Sequence, residues 1–212
     1  MIFMLFGYQK FASIVLLLFW TQQFANAQIP PHPWSVQAYG FAVRYHADMG
    51  YLPGAGVGLS LTRGIAQNRL AILAGVEYTA AAQALMLIGG SSTSLVDSYR
   101  SFMALRGAWR PKPKSRCAFH LELQAGWLFL RPRAWTLDAG ALGPITFAPK
   151  AETKFAPAWS SGATFRVVEC LQVFLSVKQN FSRFARRQIE VEATTMVWRP
   201  YWHYGAGLSW HF

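Results

Sequence analysis

Eight stretches of this chain alternate residue by residue between apolar and small or polar side chains, and no Asp, Glu, Lys or Arg falls across the middle of any apolar face. The opposite faces carry Arg44, Glu77, Arg106, Glu122, Arg166 and Lys178. An Arg or Lys facing lipid at the bilayer midplane costs about 2–4 kcal/mol, so a membrane enforces this segregation. A soluble ligand-binding barrel would reverse it, with apolar residues inside and charges outside. A period of two means strands, and an apolar outer face with a polar inner face means strands closed on themselves within lipid.

The strands are expected at about 35–46, 54–62, 70–81, 100–110, 119–129, 159–167, 171–180 and 201–212. In the first, Tyr39, Phe41, Val43 and Tyr45 are assigned to the lipid face, and Ala38, Gly40, Ala42, Arg44 and His46 to the interior. The fourth is the least regular, because Phe102 interrupts its polar face. The connections after strands two, four and six are short (64–69, 111–116, 168–170). Those after strands three, five and seven (82–99, 132–157, 182–200) are long and read as irregular loops. Short turns on one side and long loops on the other suit an all-β, eight-stranded antiparallel up-and-down transmembrane β-barrel.

Residues 1–27 have Lys10 as their only charge, an apolar run from Phe11 to Trp20, and Ala25-Asn26-Ala27 before Gln28. This is the composition of a cleavable signal peptide, too short in its apolar part to span a bilayer. Residues 28–212 then form one barrel domain. The last strand sets Trp202, Tyr204, Ala206, Leu208, Trp210 and Phe212 on one face. That ending resembles the C-terminal signal of bacterial outer-membrane barrels, although the usual polar residue just upstream of the motif glycine is replaced at Gly205. With the alternation it makes the chain similar to the barrel-only members of the OmpA/OmpX-like superfamily. The resemblance implies a Gram-negative outer-membrane location, recognition of Trp210 and Phe212 by the barrel assembly machinery, and contact with outer-membrane lipid and lipopolysaccharide.

An eight-stranded barrel is filled by its own side chains or holds at most a small ligand. Buried charges then need partners. If the turn over 111–116 sets the register, Arg106 falls opposite Glu122, and a lumenal ion pair is expected there. Glu77 is assigned to Arg44 or to a second arginine. Cys117 and Cys170 both fall near the periplasmic rim, where an oxidising compartment favours a disulfide.

The net charge is +11. A basic chain usually suggests nucleic acid, but an exported barrel does not meet it. The arginines Arg183, Arg186, Arg187 and Arg199 of the last outer loop instead suit lipopolysaccharide phosphates. No cofactor or metal site is expected. Ser209 and His211 have the spacing of a serine–base pair, but no acidic residue is near in sequence. A structural or interaction role is therefore preferred to an enzymatic one. The alternatives are a lipid A or phospholipid acyl hydrolase or transferase, and an accessory barrel of a secretion system with a periplasmic or surface protein partner.

Overall fold

A computed structural model describes residues 34–46, 51–65, 69–87, 90–111, 115–138, 143–148, 150–187 and 194–212. The signal peptide expected over residues 1–27 lies outside the described residues. The strands are β1 (Trp34–Arg44), β2 (Gly54–Ile65), β3 (Leu70–Leu87), β4 (Gly90–Trp109), β5 (Cys117–Pro132), β6 (Trp135–Asp138), β7 (Pro144–Phe147), β8 (Glu152–Phe155), β9 (Ala158–Val168), β10 (Leu171–Arg187) and β11 (Thr194–His211). Hydrogen-bonded neighbours run β4-β3-β2-β1-β11-β10-β9-β5, and β4 also pairs with β5, which closes an antiparallel ring of eight. β8 and β9 serve as one wall strand. Both pair with β5 in a single register, Ala156 donates to the Gly126 carbonyl at 2.8 Å between them, and Pro157, which has no N–H, interrupts the ladder.

The outer connections differ from the irregular loops expected. β3 and β4 pair out to Leu87 and Gly90, and β10 and β11 out to Arg187 and Thr194, so two of those loops are extensions of the barrel wall. The third holds a small hairpin of β6 and β7, and its wall strand resumes at Glu152. Strands of 18 and 20 residues exceed the roughly 9–11 needed to cross a bilayer. Beyond the lipid there is no apolar face to maintain, so backbone pairing continues where hydrophobic alternation stops.

Val57, Leu59, Val76, Met103, Leu123, Leu175 and Leu208 point outward and are about half exposed or more. Ser60, Glu77, His120, Glu122, Lys178 and Ser209 point inward and are buried. In water each outward side chain would forgo about 1.5–3 kcal/mol of burial. A bilayer supplies that burial. The outward charges, among them Arg44, Arg63, Asp97 and Arg131, lie toward strand ends.

One strand is inverted relative to expectation. In β1 the odd residues Gln37, Tyr39, Phe41 and Val43 face the interior, while Ala38, Gly40, Ala42 and Arg44 face outward. The cause lies in the neighbouring strands. Tyr39 is paired with Gly58 on β2 and Gly207 on β11, and Phe41 with Gly56 and Gly205. A Cβ at Gly58 would run into the Tyr39 ring and one at Gly56 into the Phe41 ring. The missing side chains of four inward glycines are the space these two rings occupy. Inward Phe102, which interrupts the polar face of β4, likewise packs with Ala71, Leu73 and Ala104.

Candidate functional site: the barrel interior

Six strands contribute to one hydrogen-bonded network in the middle of the lumen. Glu77 on β3 accepts hydrogen bonds from the Tyr39 hydroxyl at 2.8 Å, from Arg100 Nη1 at 3.4 Å and from Lys178 Nζ. Arg100 Nη1 also donates to Gln124 Oε1 at 2.8 Å, and its Nη2 to the Ala156 carbonyl at 3.1 Å. Gln124 Nε2 donates to Glu122 Oε2 at 2.9 Å. Arg106 Nε donates to Glu122 Oε1 at 2.6 Å, and its Nη2 to Gln37 Oε1 at 2.9 Å, where the Ser60 hydroxyl also donates at 3.4 Å. A single chain of hydrogen bonds thus runs from Lys178 through Glu77, Arg100, Gln124, Glu122 and Arg106 to Gln37. Two carboxylates stand against three cations. The rings take up part of the excess, with Lys178 Nζ 5.6 Å from the Phe41 ring centre and Arg100 Cζ 5.0 Å from that of Phe102.

Toward the outer side the lumen becomes apolar. Phe41, Val43, Val96, Leu128, Leu130, Ala156 and Tyr201 form one buried cluster, with Tyr39, Tyr45 and Tyr51 packed against it. Tyr45 stacks between Tyr51 and Tyr201 at 5.0 and 5.4 Å. Burial pushes the hydroxyl of Tyr51, in the first outer connection, up to about 12. Phe41 and His203 stack at 4.4 Å between the polar and apolar layers.

Arg106 and Glu122 are direct cross-strand partners. Glu77 does not meet Arg44, which is exposed on the outer wall because β1 is inverted. Its cross-strand partner is Arg100. Arg100 escapes sequence reasoning because residues 82–99 lack the alternation that would fix a register between β3 and β4. Tyr39 escapes it through the inverted strand. Tyr39 is accessible from complementarity: a glycine row on the inner faces of β2 and β11 calls for bulky inward residues on the strand between them.

The disulfide expected between Cys117 and Cys170 is not formed, and both cysteines are free thiols. Cys117 lies opposite Phe165, whereas Cys170 lies in the β9–β10 turn with its carbonyl accepting from His211 N at 2.8 Å. Arg183, Arg186 and Arg187 fall on the outer extension of β10, and Arg199 on β11 opposite Ser182. Ser209 Oγ lies 3.3 Å from His211 Nε2, with the serine 1% exposed. Trp210 and Phe212 face outward. Among the described residues no three His, Cys, Asp or Glu side chains converge as metal ligands.

No family model matches the chain, and no curated protein matches it. Similar solved structures include Neisserial surface protein A (NspA), at 14% identity and a TM-score of 0.58 over 85% of this chain and 97% of that one. The outer membrane protein OprG from Pseudomonas aeruginosa matches at 10% identity and a TM-score of 0.53, over 88% and 99%. Ail, the attachment invasion locus protein of Yersinia pestis, is 13% identical with a TM-score of 0.44, over 84% and 99%. With its closed ring of eight strands and its apolar outer wall, the chain has the fold of the small bacterial outer-membrane β-barrels.

Proposed function

We propose that this protein is a sealed membrane anchor whose task is structural or interactive, presenting the extended β3–β4 and β10–β11 hairpins on the outer side. The observation that carries this reading is the lumen itself. Lys178, Glu77, Arg100, Glu122 and Arg106 lie across its middle in one hydrogen-bonded chain, beneath a cluster of aliphatic and aromatic side chains. An ion would have to break charge-assisted hydrogen bonds and then cross an apolar layer, and both steps oppose conduction. Arginines at 183, 186, 187 and 199 would meet lipopolysaccharide phosphates, and Trp210 and Phe212 would be read by the assembly machinery. The test is conductance of the folded protein in a planar bilayer. No steady current is expected, and sustained channels in preparations free of other porins would sink the reading.

The Ser209–His211 contact favours a second reading, a lipid-modifying enzyme. The serine is 1% exposed, so a lipid acyl group has no open path to its hydroxyl, which weighs against it. Lipid A and phospholipid acyl chains from cells carrying wild-type protein or Ser209→Ala should have the same composition; a loss of one acylated species in the variant alone would instead establish catalysis.

A further inference from the structure

The outer wall carries a mainly apolar groove running from β11 across β1 to β5, with Ala38, Gly40, Leu59, Tyr78, Tyr99 and Phe129 in its lining. At one end it meets charge. The pair Asp97 and Arg131 lies one same-face step beyond the pair Tyr99 and Phe129, toward the outer side. Arg133 forks onto Asp97, Nε to Oδ2 at 2.8 Å and Nη2 to Oδ1 at 3.1 Å, and the Tyr78 hydroxyl donates to Oδ1 at 2.8 Å. Asp97 is thus fully engaged by Arg133 and Tyr78. The Arg131 side chain stands exposed beside it, close enough for its charge to act on the carboxylate. Two guanidiniums against one carboxylate leave a positive site at the mouth of an apolar groove.

We propose that this surface holds one molecule of the phosphorylated glycolipid of the outer leaflet, lipid A, with a phosphate on Arg131 and an acyl chain along the Tyr78–Tyr99 wall. The complementarity is twofold. The groove offers a mainly apolar lining to an alkyl chain, and Arg131 offers a planar donor fork suited to phosphate. Arg133, fixed by Asp97, adds positive potential without moving. The choice of glycolipid over phospholipid follows from level: the site lies on the side of the long hairpins, away from the short turns, and so in the outer leaflet. It is separate from the hairpin arginines and rests only on insertion of the barrel, not on the sealed lumen.

The test uses the folded protein in nonionic micelles, titrated with bisphosphorylated lipid A, with the same lipid A stripped of phosphate, and with phosphatidylglycerol. Saturable binding of the phosphorylated form is expected, about tenfold tighter than either of the others, as loss of one charge-assisted contact implies. Arg131→Gln should weaken it about tenfold by removing the fork. Gly40→Phe should block the groove without disturbing the wall, since an added Cβ there meets nothing closer than the Gly56 carbonyl at 3.9 Å. Each variant is first checked for a boiling-dependent gel shift, and one that lacks it is replaced by Arg131→Lys or Gly40→Leu. Equal binding of phosphatidylglycerol or of stripped lipid A overturns the proposal, as does unchanged binding by both variants. Failure of the sealed-lumen reading would register in conductance and leave these affinities untouched.

Discussion

Glu77 is the residue on which the interior depends most. It is 4% exposed and answers two cations and a phenol. Removing one member of such a buried group leaves the other charges uncompensated, so Glu77→Gln should lower stability by about 3–5 kcal/mol. Urea unfolding in lipid vesicles measures this, and adding Lys178→Met to the same chain should restore most of the loss. A second residue-scale consequence concerns Gly58. Gly58→Val drives a branched side chain into the Tyr39 ring and should reduce the yield of folded barrel, with partial recovery when Tyr39→Ala is added. The lumenal charges were largely legible in the sequence, because Glu77, Glu122 and Lys178 sit on faces whose opposite side is uniformly apolar. The sense of β1 was not. Rows of Tyr and Phe look lipid-facing when a strand is read alone, and only the glycines paired with them on β2 and β11 show that the rings have room inside.

At the scale of elements, alternation located each wall strand but not its length. Ser91 to Ser98 lacks an apolar face, yet its backbone pairs with β3 all the way to the hairpin end. The pattern in a sequence marks where lipid begins and ends, whereas hydrogen bonding marks where the strand does. The extensions should therefore be dispensable for the barrel itself. Replacing residues 84–93 by an Asn-Gly turn keeps the Gln83–Ser94 pair at the top of the hairpin, and the shortened protein should retain its boiling-dependent gel shift and its unfolding midpoint. A lost shift would mean that the projecting hairpin helps hold the wall. The two cysteines belong to this scale too. They lie on separate seams, so mobility should be the same with and without reductant, and both thiols should take up alkylating reagent in the unfolded protein.

Taken whole, the molecule is a cylinder of unequal height, low at β1–β2 with 11 and 12 residues and tall at β3–β4 and β10–β11. Extracted in mild detergent, it should migrate differently before and after boiling and show β-rich circular dichroism; identical mobilities would contradict the closed ring. The link between Glu77 and Lys178 has a bearing on how that ring comes to be. The two are separated by 101 positions along the chain. Until the tenth strand arrives, Lys178 has no carboxylate and Glu77 answers Arg100 as its only cation, so a half-built sheet must leave part of this charge to water. Full neutralisation thus comes late, when the far half of the wall folds over the near half, and a sheet joined in the wrong order would enclose Glu77 without its second cation. A cylinder closed without β10 in register therefore carries an incompletely neutralised buried charge, which costs it stability relative to the native ring.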